Sequence, residues 1–129
     1  MAGTPRDTKV WQEAVGLAAD VIRVVRRTTR RETKAFTDAL MLAASAAASA
    51  IAEAPTRPTP SEERECYARA RRALVTVETQ LAIARVSGII PTSVHAQLAS
   101  RVASLSQRVS NSLNHVEHHT DSLPLLADT

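Results

Sequence analysis

Leu74-Val75-Thr76-Val77-Glu78-Thr79-Gln80-Leu81-Ala82-Ile83-Ala84-Arg85-Val86-Ser87-Gly88-Ile89-Ile90 decides the fold of this chain. Ala70, Leu74, Val77, Leu81 and Ala84 recur every three or four positions. That is the period of an amphipathic helix, not of a strand. Ser87-Gly88 stops the helix, because glycine readily takes the left-handed conformation in which helices commonly end. The register sets Glu78 within an otherwise apolar stripe, and an inward-facing carboxylate is expected there. Upstream, Thr59-Pro60-Ser61-Glu62 supplies a cap, a proline at the first helical position and a nearby glutamate. The helix therefore covers residues 60–87.

Further toward the N-terminus, Asp7 or Thr8 caps a first helix over residues 8–28. It carries two adjacent stripes, Val10, Ala14, Leu17, Val21 and Val24 beside Trp11, Val15, Ala18, Ile22 and Val25. A face this wide predicts burial in a bundle or an added subunit contact. Thr29-Arg30-Arg31-Glu32 matches a capping box and opens a second helix over 30–53, which Pro55 and Pro58 end. Downstream, Pro91 or Thr92 opens a fourth helix over 91–118. Its Leu98, Val102, Leu105, Val109, Leu113 and Val116 keep the spacing of a packed seam. Short connections predict an all-α, antiparallel up-down-up-down four-helix bundle over 8–118. An N-terminal arm at 1–7 and a flexible tail at 119–129 complete the chain.

With 129 residues, one domain is expected. Its apolar material is Ala, Val, Leu and Ile, with Trp11, Phe36 and Tyr67 as the only aromatics, which suits close helix packing. Cys66 is the single cysteine, so no internal disulfide forms and a cytoplasmic setting fits. Without a neighbouring histidine its thiol reads as inert. The start of the chain lacks a basic segment followed by an apolar run, so no signal peptide is expected. The apolar run from Ala39 to Ala52 is shorter than the ~18 residues of a spanning helix, so no membrane contact is expected either.

The net charge of +3 is mild, but its distribution is uneven. Arg23, Arg26, Arg27, Arg30, Arg31 and Lys34 oppose Glu32 alone across that stretch. Guanidinium forks match phosphate geometry, so such a cluster suits a nucleic-acid backbone as well as a solvated helix end. Arg64, Arg69, Arg71 and Arg72 add a second basic group. Glu53 and Glu78 are the carboxylates expected to face inward, in structural or interface roles alongside Trp11. A di-metal bundle needs Glu-x-x-His pairs, and the chain contains none. His115, His118 and His119 read as a polar helix end rather than a metal site. No catalytic residue, metal site or cofactor is expected.

Lys9-Val10-Trp11-Gln12 with Ala14 and Leu17, then Ile51-Ala52-Glu53, then Glu78-Thr79-Gln80-Leu81 with Gly88 resemble, in order and spacing, three motifs of one family. These are the small bacterial four-helix-bundle proteins encoded in intervening sequences of 23S ribosomal RNA genes. The resemblance covers about residues 9 to 116. It implies a homopentamer with a central channel and kinship with the accessory proteins of diversity-generating retroelements. Those proteins bind nucleic acid through a basic surface and associate with a reverse transcriptase. Where the family often has an arginine pair in the second helix, this chain has Met41 and Leu42. Ala50, Ala54 and Thr76 likewise replace an asparagine, a glycine and an acidic residue.

Together these readings predict a non-enzymatic, oligomeric accessory protein. Its partners would be further copies of itself, RNA or DNA held without sequence specificity, and a reverse transcriptase. Arg23, Arg26, Arg27, Arg30, Arg31, Lys34, Arg64, Arg71 and Arg72 would make the phosphate contacts. The competing expectation is a structural or protein-binding pentamer that holds no nucleic acid.

Overall fold

The structure, a computed structural model, describes the backbone of residues 8–122 and the side chains of residues 8–116. The arm at 1–7 and residues 123–129 of the tail lie outside the described residues. Four helices follow one another: α1 (Lys9–Thr28), α2 (Lys34–Glu53), α3 (Pro60–Val86) and α4 (Thr92–Ser122). Each packs on the next, and α4 closes back on α1. Among the described residues there is no strand.

The core runs the length of the bundle. α1 contributes Leu17, Val21 and Val25, α2 Leu40, Ala44 and Ile51, α3 Leu74, Val77 and Leu81, and α4 Leu98, Val102, Leu105 and Val109. The α3 and α4 stripes expected from periodicity are therefore the buried ones. In α1 the second stripe divides: Ala18 and Val25 are buried, but Val15 and Ile22 are exposed. The part of that broad face left over by the bundle looks outward.

The helix starts and stops show how local chemistry sets the frame. Thr8 caps α1, its hydroxyl accepting the Trp11 N–H at 3.2 Å. Thr59 caps α3 by accepting the Glu62 N–H at 3.2 Å, while its hydroxyl donates to the Glu62 carboxylate at 2.8 Å. At the end of α3, Gly88 has φ of +83°. The Ile89 N–H then reaches the Ala84 carbonyl at 2.8 Å and the Gly88 N–H reaches that of Arg85 at 3.1 Å. This double closure satisfies two carbonyls that a helix end leaves open.

α2 begins later than the Thr29-to-Glu32 pattern suggests. Thr29 does not cap it: no backbone N–H of α2 reaches its hydroxyl, which donates to the Val25 carbonyl of α1 at 2.7 Å and lies against Thr37. The Arg30 N–H instead finds the Thr33 hydroxyl at 3.1 Å, and a short 3-10 turn over Arg31–Thr33 leads into the helix. At the other end of the chain α4 continues to Ser122, past the expected end at residue 118. Nothing in residues 119–122 breaks a helix, and the first proline after them is Pro124.

Two further expectations are corrected. Glu78 does not face inward; it is exposed. It follows Val77 by one residue, and the 100° step of a helix carries it off the core line. The segment Arg31–Thr56 does meet the length and mean-hydropathy test for a membrane span, which the shorter 39–52 run suggested it would fail. Its alanines raise the mean hydropathy, yet Leu40, Ala44, Ala47 and Ile51 are spent on the bundle core.

Candidate nucleic-acid interface

The arginine-rich stretch begins on the last turns of α1 and continues around the turn into α2. Two hydroxyls hold this corner. The Thr28 hydroxyl donates to the Val25 carbonyl at 3.1 Å, and that of Thr29 lies 3.0 Å from the Thr37 hydroxyl of α2. Thr37 is the one fully buried polar residue among the described residues, so the contact ties α2 to the end of α1. Arg26 and Arg27 occupy the last turn of α1, where the helix dipole favours cations.

All six expected cations of this stretch are exposed. They are not equivalent. Arg23 is bound by Asp20, and Lys34 by Asp38 at 2.6 Å. Arg26, Arg27, Arg30 and Arg31 form no ion pair among the described residues. Four guanidiniums in no ion pair thus crowd one end of the bundle, with Glu32 as the one acid among them in the chain. The α3 arginines stand apart. Arg64 and Arg71 form no ion pair among the described residues, and Arg72 is held by Glu65 at 2.9 Å. Since α3 ends beside the α1–α2 turn, its first residues lie at the opposite end, and the two basic groups do not merge.

Arg101 and Arg108 of α4 escaped the sequence reading. Arg108 pairs with Glu13 of α1 at 3.0 Å, and Arg101 pairs with Asp20. The signal was present as two acids seven residues apart on one helix and two arginines seven apart on another, but it needs the helices paired before it can be read. Asp20 therefore sits between Arg101 and Arg23. The Arg101 guanidinium, foremost, holds its carboxyl below the ordinary 3.8; burial opposes it, and Arg23 adds a lesser lowering.

Two grooves meet at Arg27. One, of about 750 Å³, lies between α1 and α4 and is lined by Asp20, Arg23, Val24 and Arg27 of α1 and by Val94, Leu98 and Arg101 of α4. The other, of about 700 Å³, lies at the bundle end between the α1–α2 turn and the Ser87-Gly88-Ile89 turn, and Arg30 lines it.

The remaining candidates fall elsewhere. Glu53 is exposed and pairs with Arg69 at 2.7 Å. The Arg69 hydrogen bond is the main reason its carboxyl is lowered, and in return Glu53 raises Arg69. Arg69 also reaches the buried Cys66 sulfur at 3.2 Å. Glu53 and Glu78 do not share a site, since Glu78 lies nine residues beyond Arg69 along α3, about 14 Å of helix. Trp11 is half-buried and lines a shallow groove of about 420 Å³ between α1 and α2, with Val15, Ile22, Ser45 and Ser49. His115 is exposed, and no group of three or more His, Cys, Asp or Glu able to hold a metal occurs among the described residues. The side chains of His118 and His119 lie outside the described residues.

A family model described as 23S rRNA-intervening sequence protein matches residues 6–111 of this chain. No curated protein and no solved structure matches it.

Proposed function

The chain belongs to the 23S rRNA-intervening sequence protein family, and on that footing we propose that it is a non-enzymatic, oligomeric accessory protein that binds nucleic acid. The observation that carries this reading is the set of four exposed guanidiniums, Arg26, Arg27, Arg30 and Arg31, without an acidic partner among the described residues. Arginines clustered outside ion pairs suit phosphates, which arrive with their own charge and release counterions on binding. With three aromatics in the whole chain, base stacking is not the main mode. Contact is phosphate-led, sequence-tolerant and steeply salt-dependent.

Assembly is the second part of the proposal. Leu42, Val75 and Val86 are 70%, 59% and 76% exposed on helix faces turned away from the core. The outer side of α2 carries no charge from Ala39 to Ala52. Faces of this kind fit contact with further copies of the chain. The family resemblance extends the reading to a homopentamer, to kinship with retroelement accessory proteins, to service of a reverse transcriptase and to a cytoplasmic setting. The same exposed apolar residues favour a second reading, a protein-binding pentameric scaffold without nucleic acid.

Filter binding of structured RNA and of duplex DNA at low salt tests the proposal. Retention by the wild-type protein, lost in Arg27→Glu with Arg30→Glu, is expected. Equal retention by wild type and double variant contradicts the assignment of binding to these arginines, and no retention by either contradicts nucleic-acid binding and leaves the scaffold reading.

A further inference from the structure

Beside the apolar core, α1 and α4 are joined by a ladder of charge. Glu13 faces Arg108, and seven residues along each helix Asp20 faces Arg101. The next step of seven brings Arg27 of α1 opposite Val94 of α4, and both line the same groove. An acid at the α4 position would complete the third rung. Valine stands there instead, so Arg27 is left facing an apolar wall across an open cleft. Among the described residues no acid completes this rung.

We propose that this cleft holds a single-stranded segment of nucleic acid, its phosphates on Arg27 and Arg23 and a base against Val24, Val94 and Leu98. The inference rests on the reading of the protein as a nucleic-acid binder and names the form it takes. Arg23 and Arg27 lie four residues apart, about 6 Å along the helix, and so form a line of cations rather than a point. A second groove, which shares Arg27 and is lined by Arg30 and Glu32, lies beyond it at the bundle end. Neighbouring helix axes lie about 8–10 Å apart, so a cleft between two of them is too narrow to admit a duplex. A duplex presents its phosphates on a convex surface and reaches the rim arginines alone. An unpaired base can enter, lie on the apolar wall and be covered by a guanidinium. Asp20 opposes phosphate at the inner end, which places the strand toward Arg27 and Arg30.

Fluorescence anisotropy with a labelled twelve-nucleotide oligouridine and with a duplex of the same length tests the inference. Val94→Glu supplies the missing acid and closes the rung onto Arg27, and Arg27→Gln removes the cation without touching the wall; circular dichroism checks that both fold. Each variant is expected to lower oligouridine affinity by about tenfold, and duplex affinity by much less. Asp20→Asn is expected to raise oligouridine affinity. Arg57→Gln, between α2 and α3 at the opposite end of the bundle, removes one cation outside the cleft and leaves that affinity within about threefold of wild type. If both cleft variants bind oligouridine like wild type, or lose duplex binding in parallel, the single-strand cleft is wrong while nucleic-acid binding stands. If the wild-type protein binds neither probe at low salt, the underlying reading fails with it.

Discussion

Asp20 of α1 binds the guanidinium of Arg101 of α4, an ion pair between residues 81 apart in the chain. It is one of two such bonds that hold the first helix against the last, the other being Glu13 with Arg108. Both are partly exposed to solvent, which screens them, so each contributes about 0.2–1 kcal/mol. Their value lies in position, since they fix the register of a seam that opens into a groove.

Acid should loosen that seam. The Asp20 carboxyl is depressed in the folded protein, chiefly by Arg101. A depressed carboxyl contributes stability above its ordinary value of 3.8 and loses it as the pH falls through the folded value. Thermal melts from about pH 5 to pH 3 should show the midpoint falling, and falling less in Asp20→Asn, which has nothing left to protonate. An equal fall in both proteins would show that Asp20 contributes nothing.

The Thr29–Thr37 contact should behave as a buried hydrogen bond. Thr37→Val keeps the shape and removes the hydroxyl, and is expected to cost about 1 kcal/mol in urea unfolding. Leu81→Ala in the core is expected to cost about 2–5 kcal/mol. A Thr37→Val protein as stable as wild type would remove the hydroxyl pair from the account of how the arginine corner is held.

Gly88→Ala isolates one backbone angle. A Cβ at Gly88 meets no atom within 4 Å, so the cost is conformational alone. With φ at +83°, a loss of about 1–2 kcal/mol is expected, again by urea titration. An unchanged or higher midpoint would mean that the α3–α4 turn adopts another conformation.

The exposed apolar residues separate folding from assembly. Leu42→Glu leaves the core untouched, so its circular dichroism spectrum should match wild type and its stability as a single chain should change by less than about 0.5 kcal/mol. Subunit number measured by light scattering should drop. A wild-type protein that is monomeric at every concentration tested contradicts the oligomeric part of the proposal.

The bundle was legible because its signals are local. Leu98 to Val116 repeat within one helix, Thr59 and Glu62 sit within one turn, and Gly88 reports its own backbone angle. The misreadings each involve something a single helix does not carry. Glu78 differs from Val77 by one residue, and the direction of the core decides which of the two is buried. Thr29 has the right side chain to cap α2, but a 3-10 turn at Arg31–Thr33 sets the helix start beyond its reach and its hydroxyl meets Val25 and Thr37 instead. The pairing of Glu13 and Asp20 with Arg108 and Arg101 exists only once α1 and α4 are set antiparallel. For the same reason the arginine cluster was visible in the sequence, while the distinction between paired Arg23 and unpaired Arg27 was not.

The central claim is that Arg26, Arg27, Arg30 and Arg31 form a phosphate-binding end. The most direct measurement is the slope of log affinity against log salt for RNA, in wild type and in Arg27→Glu with Arg30→Glu. Wild type should show a steep negative slope, and the double variant a slope shallower by about 1.5–2 together with affinity lower by at least tenfold. Identical slopes and affinities in the two proteins would contradict the account.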